Sequence, residues 1–294
     1  MDEFASLTEV ADELGLPHDR IPPIRRRPVE VSPGWMTSVV TWGTGPPELV
    51  FLHGGGQNAR TWDLVALCLD RPAIAVDLPG HGHSYWRDDH DYGPVRNAQA
   101  VATVVERLAP DAAAVVGMSL GGLTTIRLAA TRPDLVRRAV LVDVTPGSPE
   151  VAARMDDRQQ GAVALTHGPR TFSDRDAMVA AAVAASPRRP ATAVRRGVVH
   201  NTRQLPDGRW TWRYDQPRTG ITDSVGLLWE DLASLTMRVL LVTGAESEFV
   251  SGPDLAEARR RLPSMRVETV DGAGHAVQSD RPQELAALIQ GFVR

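Results

Sequence analysis

The chain has 294 residues, 43% of them hydrophobic and 23% charged, and a net charge of −4. That is length enough for one large domain, or a domain carrying a sizeable insertion, with the composition of an ordinary soluble globular protein. The mildly acidic balance argues against a nucleic-acid partner, and no apolar run approaches the ~20 residues of a membrane-spanning helix.

All 32 basic residues are arginine, a bias to which we attach no function. Cys68 is the single cysteine, so no intrachain disulfide can form and a reducing compartment is compatible. The acidic start MDEFASLTEVADE has no basic segment followed by an apolar one, so no secretory signal is expected and the expected compartment is the cytoplasm.

To about Pro33 the chain is polar and proline-punctuated (PHDRIPPIRRRP), and residues 1–34 read as an N-terminal arm, a short helix followed by irregular chain. From Trp35 the pattern changes. MTSVVTWG predicts a strand, ELVFLHGGG an apolar strand running into glycines, TWDLVALCLD a helix, and AIAVDLPGHG a buried strand ending in a polar loop. VRNAQAVATVVERLA predicts an amphipathic helix, AAAVVGM a strand, the residues from Ser119 a helix, and RAVLVDVTP a further strand. Short apolar strands alternating with helices imply an α/β fold, a doubly wound and mostly parallel sheet covered on both faces.

After Pro146 that rhythm stops. Residues 147–232 carry helical patterns (DRDAMVAAAVAAS, ATAVRRGVVHNTRQL), a PDGRW turn and the aromatic-rich WTWRYDQP, with no apolar strand of the earlier kind. It resumes in MRVLLVTG, DLAEARRRL, MRVETVDGAGH and PQELAALIQGFV. The expected division is a core of residues 35–146 and 233–294 interrupted by a mostly helical insertion at 147–232.

Chemistry in a doubly wound sheet collects at the carboxyl ends of its strands. Ser119 is expected at such an end, in Gly117-Met118-Ser119-Leu120-Gly121. A sharp strand-to-helix turn lifts a serine hydroxyl clear of the sheet, and glycines two residues to either side remove side chains that would collide with the neighbouring strand and helix. That setting makes Ser119 a candidate nucleophile.

Together with FLHGGG at 51–56, DLPGHGHS at 77–84, LVDVTP at 141–146 and DGAGHAVQSDRP at 271–282, the serine turn makes the chain resemble the α/β-hydrolases, in the branch with a helical cap inserted after the sixth core strand. The resemblance spans most of residues 35–294. It implies a serine, acid, histidine order, which points to His275, near the carboxyl end, as the base; the plain alternative is a loop histidine capping the last helix. It also implies an oxyanion hole built from backbone N–H groups of Leu120 and Gly55, with Gly56 as the fallback. His53 is given a structural hydrogen-bonding role. His81 and His83 with Asp77 could suggest a metal site, but the family carries this loop without one, so neither metal nor cofactor is expected.

The acid departs from the family pattern. Most relatives place an aspartate three residues beyond the glycine that ends the seventh core strand; here that position is Ser247. Asp143, at the tip of the sixth strand, is preferred because a rigid strand end holds a histidine more constantly than a loop does, while Glu246 and Glu248 remain alternatives.

A serine nucleophile excludes the reactions that need an aspartate at this turn and favours acyl transfer: a carboxylic ester or lactone cleaved through an acyl-enzyme. Carbon–carbon hydrolysis, thioester cleavage, cofactor-free lyase chemistry and non-catalytic ligand reception stay open as alternatives. Gly56, Trp86, Trp210, Trp212 and Tyr214 are candidate substrate-binding residues, with Trp62, Met155 and Met178 also suggesting an apolar pocket. For the tryptophans, packing of the insertion onto the core is the plain alternative. Arg188, Arg189, Arg195 and Arg196 could meet an anionic substrate, though such clusters are commonly solvated helix faces. The expected partner is a small ester or lactone and the expected assembly a monomer or homodimer.

Overall fold

The computed structural model describes residues 3–187, 189–216 and 225–294. Arg188 lies outside them. The chain begins with α1 (Leu7–Glu13), which buries Leu7 and Val10, and after a 3-10 turn forms β1 (Ile24–Ser32). The first 34 residues are therefore not an irregular arm. β1 is an edge strand, paired antiparallel with β2 (Trp35–Trp42) from Ile24↔Trp42 to Ser32↔Trp35. Its arginines and Pro28 concealed it, and both are what an exposed edge tolerates.

The next elements follow the sequence reading: β3 (Leu49–Leu52), α2 (Asp63–Leu69), β4 (Ala73–Val76), α3 (Pro94–Leu108), β5 (Ala114–Met118), α4 (Leu120–Thr131) and β6 (Arg138–Val142). Then come α5 (Ser148–Ala152), α6 (Asp157–Gln160), β7 (Thr171–Phe172), α7 (Arg175–Ala185), α8 (Ala191–His200), β8 (Thr202–Gln204) and β9 (Trp210–Trp212). α9 (Val225–Ser234), β10 (Arg238–Gly244), α10 (Gly252–Arg261), β11 (Arg266–Val270), α11 (Val277–Asp280) and α12 (Pro282–Val293) complete the described chain.

Eight strands form one sheet in the order β1-β2-β4-β3-β5-β6-β10-β11. The β1–β2 and β2–β4 pairs are antiparallel and the others parallel. β3, β4 and β5 are buried at every position, as strands covered on both faces must be. One face packs Val50, Ile74 and Leu141 against α3, α4 and α9; the other packs Phe51, Val116 and Leu240 against α2 and α12.

The segment between β6 and β10 differs from expectation in two ways. It contains a three-stranded antiparallel sheet, β7-β9-β8, whose strands of two or three residues are too short to leave a periodic signature. With α7 and α8 this sheet has its own small core of Met178, Val194, Val198, Trp212 and Tyr214. The second difference is α9, assigned in part to the insertion by its sequence position. Leu228 and Leu232 bury against α4 in the main core, so the separately packed unit ends before Val225.

Candidate active site

β5 and β6 pair in register through Met118↔Val142, so Ser119 and Asp143 leave the sheet side by side at its carboxyl edge. Both hold a positive φ, 50° and 51°, which a residue with a Cβ adopts at a cost of about 1–3 kcal/mol. Ser119 is half-buried between the end of β5 and the start of α4, and its N–H donates to the Val142 carbonyl at 3.1 Å. The flanking glycines do what the spacing suggested. A Cβ on Gly117 would come under 3.0 Å from the backbone of Gly121, and one on Gly121 would do the same at the Leu52 and His53 carbonyls. Leu120 begins α4, where its N–H has no intrahelical acceptor and is free to meet a ligand.

The glycine loop after β3 lies against this turn: a Cβ on Gly54 would stand 3.3 Å from Ser119 Cβ. Three consecutive N–H groups of the loop have different fates. Gly54 N–H donates to Gln57 Oε1 at 3.3 Å and Gly56 N–H to His81 Nε2 at 3.1 Å, whereas Gly55 N–H has no acceptor among the described residues. Gly55 is thus the free donor, and Gly56 is engaged elsewhere.

Two neutral histidines hold the loop. His53 Nδ1–H donates to the Gly54 carbonyl at 2.8 Å and its Nε2 accepts from Leu78 N–H at 2.9 Å. Burial pushes its imidazole down to about 3, so it stays uncharged. His81 donates from Nδ1 to the Pro79 carbonyl at 3.0 Å and accepts from Gly56 at Nε2; burial lowers its pKa as well. With both nitrogens occupied, His81 has no lone pair for a metal. Asp77, below them, accepts from Ala59 N–H and His83 N–H and from Arg26 of β1. Burial pushes this carboxyl up, but hydrogen bonding and the Arg26 guanidinium outweigh it and hold the group well below the usual carboxylate range. Among the described residues no group of three or more His, Cys, Asp or Glu side chains is placed to hold a metal ion.

His275 sits in the loop after β11, and its Nδ1–H donates to Asp143 Oδ2 at 2.7 Å. Asp143 is fully buried and is held by Gly244 N–H on Oδ1, at 3.0 Å, and by the Ser247 hydroxyl on Oδ2. The ring of Phe249 stacks on the imidazole, with centroids 3.6 Å apart and planes 11° from parallel. The Nδ1 bond fixes the tautomer and leaves a lone pair on Nε2, which is buried and has no hydrogen-bond partner among the described residues. The other candidate acids stand apart from this pair: Glu246 is exposed on the same loop, and exposed Glu248 accepts from Gln159 Nε2 at 2.9 Å.

Next to the glycine loop lies a cavity of about 170 Å³. Gly55 and Gly56 form one wall, and Leu165, Val198, Trp212 and Tyr214 of the inserted segment face it. Of the candidate substrate-binding residues, Gly56, Trp212 and Tyr214 therefore line the cavity. Trp86 and Trp210 do not. Trp86 is exposed under the Arg203 guanidinium, and Trp210 packs against the insertion's own core beneath Arg175. Met178 is buried in the insertion's own core, and Trp62 stacks on Phe51 within the main one. Of the candidate arginines, Arg189 and Arg196 line the cavity and have carboxylate partners, Arg189 meeting Asp280 at 3.3 Å and Arg196 meeting Glu13 at 2.6 Å, while Arg195 pairs with Asp176 on the exposed surface.

Four features have no direct signal in the sequence. Asn201 bridges insertion and core, donating from Nδ2 to the Gly56 carbonyl and accepting from Asn58 Nδ2 at 3.2 Å. His81 as the acceptor for Gly56, and Phe249 over His275, arise from loops whose paths periodicity does not encode. Ser247 carried one clue, its position where an acid was expected.

The chain matches the model of the alpha/beta hydrolase family over residues 49–288. It is 48% identical over 294 residues to esterase Rv0045c of Mycobacterium tuberculosis, covering all of this chain and 96% of that one. It is 30% identical over 260 residues to 2-(acetamidomethylene)succinate hydrolase of Mesorhizobium japonicum, covering 85% of this chain and 89% of that one. A solved structure of the M. tuberculosis esterase superposes with a TM-score of 0.87 at 47% identity, covering 100% of this chain and 99% of that one.

Proposed function

The chain belongs to the α/β-hydrolase family, and we propose that within it the protein is a serine esterase that cleaves a carboxylic ester or lactone through an acyl-enzyme. The observation that carries the mechanism is the buried Asp143–His275 pair, which leaves the Nε2 lone pair unused, with Asp143 and Ser119 at paired ends of neighbouring strands. Ser119 Oγ attacks the carbonyl carbon while His275 Nε2 takes its proton; the hydrogen bond between them closes as the substrate binds, as such contacts commonly do in hydrolases. Charge developing on the carbonyl oxygen is met by Gly55 N–H and Leu120 N–H, donors worth on the order of 10²–10³ in rate each. The imidazolium returns its proton to the leaving alkoxide. Water, deprotonated by the same nitrogen, then releases the acid and restores Ser119. Asp143 holds the productive tautomer and stabilises the imidazolium.

The insertion serves as a cap that sets the substrate, with the apolar wall of Leu165, Val198, Trp212 and Tyr214 taking the organic part of the ester. The single cysteine is consistent with a cytoplasmic protein. No helix among the described residues is long and apolar enough to cross a membrane. A fluorophosphonate probe and a p-nitrophenyl ester test the reading together: the native chain is labelled and turns the ester over, and Ser119→Ala does neither. Turnover undiminished in Ser119→Ala would remove the mechanism.

A further inference from the structure

We propose that Ser247 is a positioning residue for the Asp143–His275 pair, itself set in place by Phe249; the proposal rests on the esterase reading above. Its hydroxyl and His275 Nδ1 meet the same oxygen, Asp143 Oδ2, while Gly244 N–H holds Oδ1. The direction of the hydroxyl is settled by its other partner. Ser247 Oγ accepts Phe249 N–H at 3.3 Å, so its own proton points to the carboxylate. One turn further, Phe249, itself buried, lays its ring flat on the imidazole and blocks rotation out of the plane.

The carboxylate is thus fixed by three donors from two segments, and its charge is divided between two donors on the oxygen that the histidine uses. That division matters chemically. A carboxylate left with His275 alone on Oδ2 would favour the imidazolium more strongly, and more of the enzyme would be protonated at a given pH. Ser247 therefore shares Oδ2 with the histidine and keeps the carboxylate, and through it the ring, in place. A neutral donor is the chemistry this position permits, because a second carboxylate here would face Asp143 as a like charge.

The test compares Ser247→Ala, Ser247→Thr and Asp143→Asn with the native chain on one activated ester, reading kcat, KM, the pH profile of kcat/KM and the thermal midpoint. In Ser247→Ala we expect kcat to fall about tenfold, the loss of one charge-assisted hydrogen bond, with KM unchanged and the acid limb of kcat/KM moved to higher pH. Ser247→Thr, which keeps the hydroxyl, restores both. A Ser247→Ala enzyme with native kcat and an unmoved limb overturns the proposal. So does a loss of activity that only follows a loss of folded protein. If Asp143→Asn keeps native turnover, the esterase mechanism itself is at fault; if it collapses while Ser247→Ala is silent, only the role of Ser247 fails.

Discussion

Replacing Asp143 by asparagine keeps the shape of the side chain and changes one of its two acceptors into a donor. Gly244 N–H points at Oδ1, so the amide oxygen must stay there and the amide nitrogen must take the place of Oδ2. That nitrogen then faces His275 Nδ1–H and the Ser247 hydroxyl. Ser247 can rotate its proton away; the imidazole can only shift its proton to Nε2 and accept at Nδ1. A histidine protonated at Nε2 has no lone pair for the Ser119 proton. The wrong tautomer costs on the order of 10⁴ in kcat in the serine-protease template, about 5 kcal/mol of transition-state stabilisation. The assay is steady-state turnover of a p-nitrophenyl ester, with Glu246→Gln and Glu248→Gln as controls expected within about twofold of native. Because Asp143 is buried in a network that Asn can still fill, the thermal midpoint should move far less than the activity. Turnover of Asp143→Asn within tenfold of native, or a collapse in either glutamate variant instead, would refute the tautomer argument.

Gly121→Ala should be among the most destabilising single changes, by about 3 kcal/mol or more, because the new methyl would meet the Leu52 and His53 carbonyls at under 3.0 Å and neither backbone can retreat; a thermal midpoint close to native contradicts this. Trp212→Leu, at the cavity wall, should raise KM about tenfold for a bulky ester, whereas Trp86→Ala on the surface should leave KM within about twofold. Burial holds His53 at about 3 against 6.5 in the unfolded chain, so the unfolded state binds the extra proton between these values. Stability from this group is complete above pH 6.5 and falls as the pH drops toward 3, by about 1.4 kcal/mol per pH unit. Asp63, pushed up to about 6 by burial, acts in the opposite sense: its contribution is complete below 3.8 and is lost as the pH rises through 6. His200, also held at about 3 by burial, adds to His53 and outweighs Asp63, so urea midpoints from pH 7.5 to 5 should fall, and fall less steeply by one proton in His53→Gln; equal slopes in the two proteins would show that His53 is not the group.

The sheet was legible because buried parallel strands are apolar on both faces, so β3, β5 and β6 announce themselves as runs such as LVFL and RAVLV. β1 was not, since an edge strand is selected for solubility as much as for pairing and reads as RRRP. The short strands β7, β8 and β9 lie below the length at which alternation can be distinguished from chance. Within the candidate site, Ser119 was visible because its local sequence is constrained by steric demands that only glycine meets, and His275 because the family resemblance implies a base at that place in the chain. The acid is a different matter. Any carboxylate near the right loop satisfies the sequence, and what separates Asp143 from Glu246 and Glu248 is which of them a distant loop brings under an imidazole. Trp86 and Trp210 misled because composition cannot tell a tryptophan facing a cavity from one lying beneath an arginine.

Four residues with a Cβ hold a positive φ among those described: Asp70, His90, Ser119 and Asp143. Asp70 closes α2 in the left-handed conformation that commonly ends a helix, so its backbone has a local explanation. Ser119 and Asp143 have none of that kind. They follow neighbouring strands at paired positions, and each could have continued its strand or turned through a glycine at no conformational cost. Glycine was available on this very turn, two residues to either side of Ser119, which means the side chain at 119 is retained despite the strain. The same reasoning applies one strand over. An aspartate with no exposure, a positive φ and a carboxylate fully committed to a histidine and two loop donors stabilises the fold less than an apolar residue in relaxed backbone would. Two such sacrifices at adjacent strand ends, one of them bonded to the His275 imidazole, are what the proposed proton-transfer site requires and what packing alone would not produce.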